Sequence, residues 1–117
     1  MQARATTRKN RRRRPISKAR LKEMIEQATV DAYNESEQIT GWFTMIDENL
    51  AVPFETTVLG VQVSVERLDL NHSEQIVAVC TRGRSRQSLP ILDLLLPTPS
   101  PDGAEWIEAY RWWRAEG

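Results

Sequence analysis

Cysteine and histidine are almost missing from this sequence. One cysteine, Cys80, and one histidine, His72, stand in 117 residues. A lone thiol forms no intrachain disulfide, and one Cys with one His builds no structural zinc site. Such thiol usage is compatible with a reducing compartment, so a cytoplasmic location is the expectation. Long apolar runs are lacking, and no stretch reads as a membrane-spanning helix. The basic N-terminus is not followed by an apolar stretch, which speaks against a secretory signal. A Ser/His/Asp arrangement, a phosphate loop and a dinucleotide fingerprint are all absent, so a catalytic role is not expected.

Charge is also missing locally, by sign. Residues 1–22 contain no acid but ten bases: Arg4, Arg8, Lys9, Arg11, Arg12, Arg13, Arg14, Lys18, Arg20 and Lys22. The other six bases and all 16 acids fall in residues 23–117, net −10, although the chain is formally neutral. The two parts are therefore read separately. Met1 to Pro15 is too polar to offset the entropy of ordering. The expected organisation is a disordered basic tail, residues 1–20, followed by one folded acidic domain, residues 21–117.

Ser17 is placed to cap a helix over about Lys18–Thr29, where Leu21, Ile25 and Ala28 repeat at helical spacing with Met24 beside them. Asn34 and Glu37 form a capping box for a second helix. Ile39, Phe43 with Trp42, Ile46 and Leu50 make its apolar stripe. Gly41 in mid-helix costs roughly 1 kcal/mol against Ala and suggests a close backbone approach. Asn49 and Pro53 mark its end.

From Phe54 the pattern turns to period two, with Val61, Val63 and Val65 alternating with polar residues. Asn71–Glu74 reads as a turn, Gln75–Thr81 as a β-branched strand, Arg82-Gly83-Arg84 as a tight hairpin and Ser85–Pro90 as its return. Leu92 and Leu94 to Leu96 add an apolar segment ended by Pro97. After the stiff Thr98–Pro101 linker, Asp102 and Glu105 suggest a capping box for a last helix. That helix carries Trp106, Tyr110 and Trp113 on one face with Trp112 beside them. The expected class is α+β: a small, barrel-like antiparallel sheet flanked by N-terminal and C-terminal helices.

Val30 to Phe54 contains five carboxylates, Asp31, Glu35, Glu37, Asp47 and Glu48, and no base. Oxygen-rich, sulfur-free donors suit a hard cation such as calcium. The stretch is not an EF-hand loop. Asp47 and Asn49 give its first two positions, but Ala51 and Pro53 occupy the next two. Glu35 and Asp47, twelve residues apart on one helix, would be separated by about 18 Å, too far for one ion. The stretch therefore holds two sites, one at each helix end, or one site and a decoy. Helix C-terminal carbonyls favour Asp47, Glu48 and Asn49. At the other end, capping and the helix dipole account for Glu35 and Glu37 without a metal.

The same stretch resembles a family of small calcium-binding proteins first known from cyanobacteria, the CcbP type. Asp31-Ala32-Tyr33 before an acidic helix start, Gly41-Trp42, Asp47-Glu48-Asn49-Leu50 leading to Pro53-Phe54, and the aromatic helix from Trp106 to Trp113 carry the likeness. It covers roughly residues 21–117, with Phe43-Thr44-Met45 where the family usually has tyrosines, and it leaves the basic tail outside. The resemblance implies a bacterial, non-catalytic buffer or sensor that takes Ca2+, with Asp47, Glu48, Asn49, Asp31, Glu35 and Glu37 as candidate ligands.

The alternative is a nucleic-acid-associated module, a small barrel whose basic arm (Arg11, Arg12, Arg13, Arg14) meets nucleic acid or an anionic surface. A purely protein-interaction domain is a third reading. His72 is expected in an exposed turn, Cys80 as a buried small residue, and the chain as a monomer.

Overall fold

The computed structural model describes residues 16–116. Residues 1–15 of the expected tail, with Arg11 to Arg14, lie outside the described residues; of the rest, Ile16 packs against the core and Lys18 opens a helix, so the folded part starts before residue 21. Among the described residues, three helices and one sheet follow in the order α1 (Lys18–Thr29), α2 (Glu35–Asn49), β1 (Phe54–Val58), β2 (Val61–Leu70), β3 (Ile76–Arg82), β4 (Ser85–Pro90), a 3-10 turn (Ile91–Asp93) and α3 (Ala104–Glu116). The class is α+β.

Both early helices start where local chemistry dictates. The Ser17 hydroxyl accepts from the Arg20 N–H at 3.1 Å, and Asn34 Oδ1 accepts from the Glu37 N–H at 2.9 Å. These side chains satisfy donors that a helix leaves unpaired in its first turn. The reciprocal arm at α2 lands one residue early: Glu37 Oε1 accepts from Tyr33 N–H, not from Asn34.

Gly41 sets the spacing of α1 and α2. A Cβ there would overlap the carbonyl oxygen of Ala28. The next residue, Trp42, is fully buried and meets α3. Its ring centroid lies 6.2 Å from Trp106, 5.6 Å from Tyr110 and 5.8 Å from Trp113. The Trp42 indole N–H has no acceptor among the described residues. Trp112 turns away and is exposed.

The sheet is an antiparallel meander of order β1-β2-β3-β4. β1 and β4 are its two edges and do not pair, so the expected barrel closure is not formed among the described residues. Two features escaped the period-two pattern. Leu59 and Gly60 both sit at positive φ and join β1 to β2 as a two-residue hairpin turn. A bulge at Glu66 shifts the register between Val65↔Cys80 and Arg67↔Val79. Val65 and Leu68 are three apart, so strict alternation would send one of them outwards. The extra residue restores both to the core. β3 is the most buried strand: Ile76, Ala78 and Cys80 face the main core, and Val77 and Val79 are buried outside it.

The last helix also departs from expectation. It starts at Ala104, with Gly103 rather than Asp102 before it. Gly103 has φ 89°, and a Cβ there would stand 2.7 Å from Leu50 N. Asp102 serves through its carbonyl, which accepts from Ala51 N–H at 2.8 Å. The end of α2 and the start of α3 are thus pressed together.

Gly41→Ala gives a test of opposite signs. In an exposed helix it would stabilise by about 1 kcal/mol. Here the new methyl meets backbone, so a loss of about 1–3 kcal/mol is expected in urea unfolding. A gain would refute the close approach.

Candidate functional site

The candidate carboxylates sit at the two ends of a single helix, and the ends differ. At the C-terminal end Asp47, Glu48 and Asn49 are exposed. Asn49 Nδ2 donates to the Met45 carbonyl at 2.7 Å, and Leu50 N–H donates to Ile46 at 2.8 Å. Neither Asp47 nor Glu48 has a hydrogen-bond or ion-pair partner among the described residues. Asp102, which the sequence suggested only as a cap, belongs to the segment held here by its bond to Ala51.

At the N-terminal end the carboxylates are already engaged. Glu35 pairs with Arg114 at 3.3 Å, tying the last turn of α3 to the first turn of α2. Glu37 accepts from Tyr33 N–H at 2.6 Å. Asp31 is exposed at φ 60° in the connecting loop. Glu74, from the β2–β3 turn, accepts from Ser36 Oγ at 2.6 Å across 38 positions. No local pattern in the sequence signals that contact.

Among the described residues, no three His, Cys, Asp or Glu side chains converge to hold a metal ion. His72 lies exposed in its turn, and Cys80 is buried in β3. Burial pushes the Cys80 thiol above its ordinary range. Among the described residues, no helix is long and apolar enough to cross a membrane.

Comparison with known families decides the class. A family model described as calcium binding, Calci_bind_CcbP, matches residues 20–114. The chain belongs to this family. No curated protein and no solved structure matches it. The ion of the CcbP family is calcium, and the donors at the two ends of α2 suit it: carboxylates at both, with the Asn49 amide and main-chain carbonyls at the C-terminal end. The number of carboxylates at either end falls short of a full shell of 6–8 oxygens. Carbonyls and water have to supply the rest. The family match begins at residue 20 and leaves the arginine run outside it.

Tyr110 reports on the packed side of α2. Burial raises its phenol, while Arg114 lowers it and Glu35 raises it. A pKa raised in the folded state means stability that is full below the unfolded value of about 10 and is lost as pH rises through the folded value. Tyr110→Phe is expected to flatten that alkaline loss in urea midpoints taken from about pH 8 to 11. An unchanged slope would count against Tyr110 as its source.

Proposed function

We propose that this domain is a non-catalytic calcium buffer whose tighter site lies at the C-terminal end of α2, on Asp47, Glu48 and Asn49. One observation carries the choice: Asp47 and Glu48 lack donors among the described residues, whereas Glu35 and Glu37 already have them. A cation arriving at Asp47 and Glu48 breaks no ion pair among the described residues. At Glu35 it must also break the Arg114 pair, and it faces the positive end of the helix dipole. Asp31, Glu35 and Glu37 make the weaker site. The remaining oxygens at the tighter site come from helix-end carbonyls and water.

A buffer fits better than a sensor. The site stands on the surface beside Leu50 and Gly103, which are locked by packing, so little apolar surface is available to open. The reading implies a monomer in the cytoplasm. The alternative, a nucleic-acid-associated module, takes a small barrel and the arginine run; β1 and β4 do not pair among the described residues, and the acidic domain beside the run repels nucleic acid.

The Asp47→Ala, Glu48→Ala double variant is expected to weaken the tighter calcium site by at least about tenfold. Apo stability should change by no more than about 0.5 kcal/mol, because both side chains are exposed. Calorimetric titration with circular dichroism on the same samples measures both, and unchanged affinity in a folded variant overturns the assignment.

Magnesium provides a second check. It requires near-ideal octahedral geometry and releases water reluctantly, which an open, carbonyl-assisted site does not repay. Calcium should remain bound at magnesium of about 1 mM. Full displacement there would exclude a calcium-selective site.

A further inference from the structure

A shallow groove between α1 and α2 is lined by Glu23, Glu26, Gln27, Val30 and Met45. Two carboxylates and two apolar side chains line it, and no base does. Val30 is 66% exposed. Such a lining fits an arginine-rich strand, whose aliphatic stems cover apolar surface while the guanidinium heads reach carboxylates.

The chain carries an arginine-rich stretch immediately before α1. Residues 1–15 hold seven bases and no acid. They join the domain at Ile16, which packs against the core just before α1. Fifteen extended residues reach on the order of 50 Å, against about 18 Å for the twelve residues of α1. A chain reversing at Pro15 therefore has ample length to run back along the groove. Tethering also gives it an effective concentration of about millimolar order, which a free partner seldom matches.

The groove leads to the calcium-binding end of α2. Gly41 lies against Ala28, and Met45 shares the groove with Glu23 and Glu26, so α1 and α2 run antiparallel. Glu48 follows Met45 by three residues on α2 and so neighbours it on the helix surface. Arg20 already pairs with Glu23 at 2.8 Å, which leaves Glu26 as the freer partner.

We propose that residues 1–15 dock along the α1–α2 groove, with arginines against Glu26 and Glu23, and thereby weaken calcium binding at Asp47 and Glu48. The effect on calcium rests on the proposed function; the docking does not. The tail is then a built-in competitor, displaced as calcium rises.

The test uses the full chain and a full-length variant with Arg11, Arg12, Arg13 and Arg14 each changed to Gln. Without calcium, backbone amide signals of Glu23, Glu26, Gln27 and Val30 should differ between the two. Unmoved groove signals overturn the docking. At about 0.01 M salt, where the Debye length is about 30 Å, the variant should bind calcium several-fold more tightly. The ratio should fall towards one above about 0.15 M, where that length is about 8 Å. It should also vanish in a Glu23→Gln, Glu26→Gln background, because the pairing it removes is then already gone. A ratio that persists in that background assigns the effect to net charge and overturns the groove. Groove shifts with equal calcium affinities overturn the competition alone. Absence of calcium binding in both proteins sinks the proposed function, while the amide signals still judge the docking. A ratio that grows with protein concentration puts the tail on a second copy. Salt-dependent binding to duplex DNA, lost in the variant and accompanied by unmoved groove signals, hands the tail to nucleic acid.

Discussion

The contact between Gly41 and the Ala28 carbonyl fixes the geometry on which the molecule depends. With no side chain at residue 41, α2 lies directly on the backbone of α1. Trp42 then projects fully into the core and gathers Trp106, Tyr110 and Trp113 of α3 around it. Burying one such aromatic removes about 150–250 Å² from water, worth at most about 4–6 kcal/mol. The helix propensity lost at glycine is about 1 kcal/mol. The exchange favours folding, and it makes Gly41 a packing residue. The approach also orients α2 so that its middle is buried and both ends, with their carboxylates, stay at the surface.

Electrostatics then separate the two ends. Arg114 comes from the last turn of α3 and reaches Glu35, while both side chains remain substantially exposed. A pair of this kind contributes at most about 1 kcal/mol. It does not hold α3 in place, because the aromatic cluster does that several times over. Its consequence is local: one carboxylate at the α2 N-terminus has a resident cation. Among the described residues, no base pairs with Asp47 or Glu48. The asymmetry arises from where α3 ends, not from the composition of α2.

The helices and their starts were legible because their signals are local. Ser17 and Asn34 cap within three residues of the groups they satisfy. The buried faces lie slightly off the expected stripes: Met24 and Trp42, read as neighbours of the stripes, are fully buried, while Leu21, Ile25 and Phe43 are half-buried. The sheet was legible as strands and turns, but not in its closure. A meander and a barrel differ only in whether β1 meets β4, and no neighbouring residue records that. The Glu66 bulge did leave a trace, since Val65 and Leu68 break the period-two phase. Gly103 before α3 was hidden by a plausible cap one residue earlier. At the candidate site, the six residues singled out are oxygen donors of the kind a hard cation takes. Arg114, which pairs with Glu35, and Glu74, which accepts from the neighbouring Ser36, come from distant positions and have no signature in the chain.

A calcium site of this kind resists reading from residue types for a chemical reason. Carbonyls and water supply much of the shell, and every residue has a carbonyl. What the sequence does expose is the electrostatic demand. Residues 23–117 carry net −10, and such an excess destabilises the compact domain by self-repulsion. Any cation that settles on the surface relieves the same repulsion, whether it is a metal ion or a guanidinium. Residues 1–22 carry ten bases, which bring the whole chain to neutrality. Basic side chains and a bound metal ion therefore act on the same field. That field draws both kinds of cation to the domain, and local contacts decide which carboxylates each meets: Glu23 and Glu26 of the groove for guanidinium heads in the proposed docking, the open end of α2 for calcium in the proposed site.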